Sequence, residues 1–397
     1  MKKKSLRTKI IATVLSLLKI LVIFLLICTL ESCAQEMPSP DGYSPSSPNA
    51  SSKVDEIDIS KYQLSSVYQH SYYFRNIPGA LLVANQDHGA ALYYVNKSSG
   101  DERIYCFDAL CKHTNCVART LYQPRLLQYH PYDKNLYGIP PEHGKKGGSR
   151  LYCIDGETQE MRCAWEGNGN VIDTDYLCVS GQYLYFPVKR TEVGYDIVRY
   201  DVEKGKAEVM TPPDGKYFHY VMYISGDVFL VTFVDEANCY LTDENFQKFT
   251  KTDYQNGFYY MNGSDAISIL YDTRNGQHAS VGFRYDNIKN GESYVVLEQQ
   301  EPIHPTGFDG SYLYFIEYFW QDSGYLLGNI LYRISIDGGN VEFVYDFGGT
   351  LREVVSFEDS LYYYRKEYEN GSPVHIYGKL TEKSDGFTAE DFEIIYP

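Results

Sequence analysis

From about residue 62 to the end of the chain, apolar positions come in short runs separated by clusters of Gly, Asn, Asp and Pro. The runs are rich in β-branched and aromatic residues, and none keeps a helical period. Runs of this kind bounded by turn residues predict β-strands. They also repeat. One element is Leu-Tyr-Tyr or a variant: Leu92-Tyr93-Tyr94, Leu136-Tyr137, Leu184-Tyr185-Phe186, Phe229-Leu230, Ile269-Leu270-Tyr271, Leu313-Tyr314-Phe315 and Leu361-Tyr362-Tyr363. Their leading residues lie 44, 48, 45, 40, 44 and 48 apart. A second element follows roughly ten to twenty residues later. It reads Ile104-Tyr105-Cys106-Phe107-Asp108, Leu151-Tyr152-Cys153-Ile154-Asp155, Val198-Arg199-Tyr200-Asp201, Cys239-Tyr240-Leu241-Thr242-Asp243, Phe283-Arg284-Tyr285-Asp286, Leu331-Tyr332-Arg333-Ile334-Ser335 and Ile376-Tyr377-Gly378-Lys379-Leu380. Asp-Gly pairs such as Asp155-Gly156 and Asp337-Gly338 mark turns after it. A short run such as Ala207-Glu208-Val209 closes most copies.

Each copy therefore reads as four short strands. Four strands in 40–48 residues is the period of a β-propeller blade. The expectation is an all-β chain with seven four-stranded blades over residues 61–397. The copy around 257–298 is the least regular, and without it the count is six blades with a large insertion. A β-sandwich does not predict a regular period of this length.

The first sixty residues follow another pattern. Lys2, Lys3, Lys4, Arg7 and Lys9 precede an apolar run from Ile10 to Leu30 that is interrupted by Lys19. Its cleanest stretch, Ile20 to Leu30, has the length of a signal-peptide core and is short for a membrane span. Leu30-Glu31-Ser32-Cys33 resembles a bacterial lipobox, with Glu31 standing where a small residue is usual. The expectation is a signal peptide over 1–32 and lipidation at Cys33. An uncleaved anchor over Ile10–Leu30 is the alternative. Residues 33–60 are dominated by Pro, Ser, Gly and Asn and read as a flexible tether. Both readings place the rest of the chain on the outer side of a bacterial membrane, in the cell envelope.

Charge and composition narrow the partners. The formal net charge is −16, and loss of residues 1–32 makes the remainder more acidic still. Such a field repels phosphate backbones, so no nucleic-acid partner is expected, and the membrane link is the N-terminus alone. Forty tyrosines stand against 19 Phe and 2 Trp. The two repeat elements hold 15 of them, where flat bulky rings pack sheet against sheet.

Candidate chemistry is concentrated in one patch, Cys106-Phe107-Asp108-Ala109-Leu110-Cys111-Lys112-His113-Thr114-Asn115-Cys116. Three thiols and an imidazole there fit a Cys3His zinc site, a disulfide within the patch, or unpaired thiols. The spacing C-x4-C-x-H-x2-C is not a well-attested zinc spacing. Cys153 occupies in the second copy the strand position that Cys106 holds in the first, so a bridge between them is a further option, which geometry must decide. The patch resembles a C-x-D-P-L-C-x-H element of propeller-like, TolB-like lipoproteins of Gram-positive gut bacteria, with Ala109 in place of proline. That resemblance implies a propeller in the envelope and no assigned activity.

No catalytic motif, phosphate loop or Ca²⁺ loop is present, and no cofactor is expected. Propellers present ligands to the face made by the loops joining strands two and three and by the connections between blades. The candidates on that face are Arg125, His143, Arg190, Arg274, His278, His304 and Trp320. The function expected is non-enzymatic binding or scaffolding of a peptide, glycan or protein. A propeller hydrolase or lyase acting on an extracellular glycan or peptide is the alternative.

Overall fold

A computed structural model describes residues 68–392 except 70, 72, 86–90, 107, 109, 114–115, 141–149, 168–171, 173–176, 191–193, 213–215, 226–227, 237, 256–259, 275–276, 322–323, 358–359 and 370–371. The proposed signal peptide, Cys33 and His143 lie outside the described residues.

The chain folds as a succession of four-strand antiparallel meanders. In the first, Phe74–Ile77, Ala80–Asn85, Ala91–Asn96 and Glu102–Ile104 pair in chain order. The same arrangement recurs over 127–166, 178–210, 218–255, 260–298, 303–346 and 350–391, and these are meanders 2 to 7 here. Hydrogen bonding groups the seven meanders into six sheets. Meanders 3 and 4 share one eight-stranded sheet, joined by the single pair Tyr195↔Phe218. The strand Tyr68–Gln69 adds to the first strand of meander 5 and makes that sheet five-stranded.

Six of the seven Leu-Tyr-Tyr elements lie on second strands, as the repeat predicts. The first does not. Leu92-Tyr93-Tyr94 lies on the third strand of meander 1, whose second strand is Ala80–Asn85. The cause is the long connection over 105–126 between meanders 1 and 2, which makes an element one strand too late fit the spacing. Ile104 accordingly ends the fourth strand, and Cys106 lies in the connection beyond it. Cys106 is therefore not the counterpart of Cys153, which is buried on the third strand of meander 2. Meander 5, the least regular copy in sequence, is complete.

The Leu-Tyr-Tyr element works because successive strand residues point to opposite faces. In meander 6, Leu313 and Phe315 pack towards meander 5, in one cluster with Ile267, Phe283 and Tyr285. Tyr314 and Ile316, one residue out of step, pack towards meander 7, beside Leu351, Val354 and Tyr363. In meander 7, Leu361 and Tyr363 face meander 6 while Tyr362 and Tyr364 face meander 1. One short motif thus supplies both interfaces of a sheet. Shared clusters likewise join meander 1 to 2, 2 to 3 and 3 to 4.

The last meander packs on the first. Phe74, Val83 and Tyr93 share a buried cluster with Val355, Tyr362, Tyr364 and Tyr377. The Tyr377 hydroxyl donates to the Ala84 carbonyl across this seam. Sheets stacked face to face in chain order, with the last on the first, form a β-propeller.

Turn carboxylates satisfy two of the buried phenols. Tyr137 donates to Asp133 Oδ2 and Tyr314 to Asp309 Oδ2, each at 2.7 Å, from a second strand to the turn that precedes it. A buried phenol needs such a partner, and the recurrent Asp supplies it. Asp201 shows how much a turn carboxylate can take on. Its Oδ1 accepts the amides of Glu203 and Lys204 at 3.1 and 2.9 Å, and its Oδ2 accepts Lys204 Nζ at 2.9 Å and Gln182 Nε2 at 3.0 Å.

Burial alone would raise the Asp201 carboxyl. The Lys204 ammonium and amide and the Gln182 amide outweigh it and hold the group at about 2, against an ordinary 3.8. A carboxyl whose folded pKa is depressed stabilises the protein above its unfolded pKa, and that contribution is lost as pH falls through the folded value. The melting temperature is therefore expected to drop as pH falls from 3.8 to about 2, and Asp201→Asn is expected to flatten the slope in that window. Calorimetry of both proteins across the window checks this, and equal slopes would refute the assignment.

Candidate functional site

Antiparallel pairing fixes which loops share a face. The hairpins joining second to third strands and the connections between meanders emerge on one face, and the turns joining first to second strands on the other. The expected ligand-face residues are accordingly drawn from one side of the ring.

Three adjacent hairpins on that side extend beyond the inner strands. In meander 6, Tyr318↔Leu327 to Gln321↔Gly324 pair past the point where the inner strand begins at Ile303↔Glu317. In meander 5, Ser268 to Arg274 continue beyond the inner strand, which ends its pairing at Tyr260↔Ile267. In meander 7, Glu367 to Glu369 continue beyond Thr350↔Lys366. These hairpins carry Arg274 and His278 near one tip and Trp320 near another, in strand pairs Arg274↔Gln277, Thr273↔His278 and Trp320↔Tyr325. Trp320 thus belongs to the strand Tyr312–Gln321, not to a polar loop as its neighbours in sequence suggested. Tyr271 and Tyr368 on the same hairpins are 57% and 64% exposed, an unusual state in a chain whose tyrosines are mostly packed.

The other expected residues have separate settings. Arg190 forms an ion pair with the buried Asp196, Nη1 to Oδ2 at 2.5 Å, and so is engaged within its own hairpin. Arg125 lies in the short 3₁₀ turn Pro124–Leu126 leading into meander 2. His304 is on the inner strand Ile303–Phe308. Burial, and then the Arg352 guanidinium of the neighbouring inner strand, push its imidazole down to about 4, so it is neutral at pH 7. The apposition of His304 and Arg352 was not read from sequence, because it depends on two inner strands lying side by side.

The segment leading into meander 1 also escaped the repeat. Tyr68 and Gln69 pair with Met261 and Tyr260 on the inner strand of meander 5. Ser71 Oγ and the Tyr73 amide then donate to Glu353 Oε2 on the inner strand of meander 7, both at 3.1 Å. Tyr68, Gln69, Ser71 and Tyr73 therefore lie along the inner edge of the ring, and the buried Glu353 ties down the last two. The acidic residue inside Leu351-Arg352-Glu353-Val354-Val355 was the available signal.

The Cys/His patch forms the connection from meander 1 to meander 2, on the hairpin face. The ligand atoms of Cys106, Cys111, His113 and Cys116 all lie within 4.8 Å of one another. The loop is shaped by its own backbone. The Leu110 amide donates to Asp108 Oδ1 at 2.9 Å and the Cys111 amide to Asp108 O at 3.1 Å. His113 takes a left-handed conformation, φ 51°, and its amide donates to Cys111 Sγ at 3.3 Å. That turn brings its ring back so that Nδ1 lies 3.8 Å from Cys116 Sγ. Cys116 precedes the helix Val117–Thr120, and Arg119 donates Nε to the His113 carbonyl at 3.0 Å. Burial, with Cys111 and Cys116 close by, pushes the Cys106 thiol up to about 11. None of these cysteines is bridged, and Cys153 and Cys163 carry free thiols as well.

No protein-family model and no curated protein matches the chain. Among solved structures, the chain is similar to the acylaminoacyl peptidase of Pyrococcus horikoshii, at 12% identity and TM-score 0.50, over 83% of this chain and 52% of that one. The β-propeller domain of the Trilobed protease from Pyrococcus furiosus aligns at 13% identity and TM-score 0.49, over 82% of this chain and 97% of that one. An oligogalacturonate lyase from Vibrio parahaemolyticus aligns at 13% identity and TM-score 0.49, over 81% and 92%. At these identities the likeness is one of fold.

Proposed function

We propose that this protein is a seven-bladed propeller, held by a lipid on Cys33 at the outer side of a bacterial membrane, that binds a peptide, glycan or protein partner without turning it over. The observation that carries this reading is the wall of three adjacent hairpins in meanders 5 to 7. They project from one face and bear Arg274, His278 and Trp320, with Tyr271 and Tyr368 exposed beside them. Aromatic residues that present a flat apolar face and a polar edge are suited to sugars and to extended peptides. The inner edge of the ring is engaged by the chain itself through Ser71, Tyr73 and Glu353, which favours the hairpin face as the recognition surface.

Binding of the purified protein to glycan and peptide arrays tests the reading. Trp320→Ala and Arg274→Ala are expected to weaken any captured ligand at least about tenfold with an unchanged melting temperature. Release of product from a glycan or peptide, lost in His304→Ala, would replace this reading by a hydrolase or lyase working at the His304–Arg352 pair. The anchor has its own test. Metabolic labelling with an alkyne fatty acid is expected to mark the wild type and not Cys33→Ser, and equal labelling would refute lipidation at Cys33.

A further inference from the structure

We propose that Cys106, Cys111, His113 and Cys116 bind one Zn²⁺ tetrahedrally, as a structural site that fixes the connection between meanders 1 and 2. Three sulfurs and one imidazole nitrogen form a soft to borderline set, which suits zinc and is a poor match for Ca²⁺ or Mg²⁺. Four protein ligands complete the tetrahedron and leave no open position, as in structural rather than catalytic zinc sites.

Geometry agrees. With metal–ligand bonds of about 2.0–2.3 Å, neighbouring donors in a zinc tetrahedron lie roughly 3.3–3.8 Å apart. Cys116 Sγ and His113 Nδ1 are 3.8 Å apart, and all four donors fall within 4.8 Å. A disulfide uses only two of the four and leaves a third thiol and the imidazole beside it. A single cation uses all four.

The surroundings provide for the charge. Three thiolates and a neutral imidazole around a divalent ion carry a net charge of about −1. The three thiol protons leave to solvent when the metal enters. Arg119 is held 3.0 Å from the His113 carbonyl and brings a guanidinium to the site. The His113 amide, 3.3 Å from Cys111 Sγ, donates to a ligand sulfur. His113 reaches this arrangement through a left-handed backbone, which a side chain bound to a common centre would keep in place.

The position gives the site its role. Over residues 105–116 the connection has no strand or helix among the described residues. Yet Cys106 and Cys116 pack against the buried cluster of Leu82, Leu92, Leu121, Leu127 and Ile154 that joins meanders 1 and 2. A metal at this point ties an irregular loop onto the seam between two sheets.

The test is metal analysis of the full protein purified in a phosphine reductant and offered Zn²⁺, followed by removal of unbound metal. About one zinc per chain is expected, with replacement by Co²⁺ giving thiolate charge-transfer and tetrahedral d–d absorption. Cys111→Ser and Cys116→Ser are expected to lower the zinc content at least about tenfold, whereas Cys163→Ser, at an exposed strand position, leaves it unchanged. Thiol mapping of the wild type by alkylation and mass spectrometry needs no variant and covers the case in which a serine variant does not fold. Absence of zinc from the reduced protein, a disulfide between any two of Cys106, Cys111 and Cys116 in protein taken from cells, or equal metal loss in Cys163→Ser would each overturn the proposal.

Discussion

Replacing Tyr377 with Ala is expected to lower the unfolding free energy by about 3–5 kcal/mol, the range for large-to-small changes at buried aromatic positions. Tyr377 is 1% exposed on the third strand of meander 7. Its ring stacks on Tyr364 at 4.9 Å and meets the edge of Phe74 at 5.6 Å. Its hydroxyl donates to the Ala84 carbonyl, 293 positions away in the chain. The substitution would open a cavity at the seam between the last and first meanders and leave a buried carbonyl without this donor. Tyr377→Phe keeps the ring and removes the donor, and is expected to cost about 1 kcal/mol. Urea denaturation of the three proteins reads both numbers. A loss below about 1 kcal/mol for Tyr377→Ala would show that the ring is not closed through this residue.

Gly378→Val is the second large effect, of opposite origin. A Cβ at Gly378 would lie 2.3 Å from Tyr363 Cζ and Oη and 2.5 Å from the Glu390 carbonyl oxygen. Gly378 is the cross-strand partner of Tyr363, whose ring rests on it. In meanders 2, 3 and 6 the tyrosine at this position faces Cys153, Arg199 and Arg333. In meander 7 the glycine lets the ring lie closer to the sheet, in contact with Phe347 at 4.6 Å and bonded to Asp391 at 2.5 Å. Overpacking of this kind costs about 1–3 kcal/mol, and more where backbone stands in the way. Because the side chain of Tyr363 is the main obstacle, Gly378→Val combined with Tyr363→Ala is expected to cost clearly less than the sum of the two single changes. Additive costs would show that the Glu390 backbone resists the substitution instead.

The two effects show how tyrosine serves this fold. At the repeat positions it fills the space between sheets, and its hydroxyl finds a polar partner: Asp133 for Tyr137, Asp309 for Tyr314, Asp391 for Tyr363 and the Ala84 carbonyl of the next sheet for Tyr377. Tyr271 and Tyr368 depart from that use because their hairpins extend past the ring, and so they fall on the surface proposed for recognition.

The sequence by itself determined the repeat and with it the architecture. The period-two alternation within Leu-Tyr-Tyr is local, and the turn residues that bound each strand are local too. Six of the seven elements therefore fall on the strand expected of them, and meander 5 is whole despite its irregular spelling. The sequence also singled out the four residues of the Cys/His patch, because they lie within eleven positions of one another. The tertiary structure alone decided what joins distant positions. It displaced the first copy by one strand, since the long 105–126 connection puts a third-strand element, Leu92-Tyr93-Tyr94, at the distance from Leu136 that the period expects of a second strand. It separated Cys106 from Cys153 and gathered Cys106, Cys111, His113 and Cys116 through a left-handed turn at His113 that spacing does not encode. It brought His304 beside Arg352, tied Glu353 to Ser71 and Tyr73, and set Tyr377 against Ala84. Periodicity reports which face of a strand is buried. Which sheet covers that face, and which side chains then meet, depends on closing the ring.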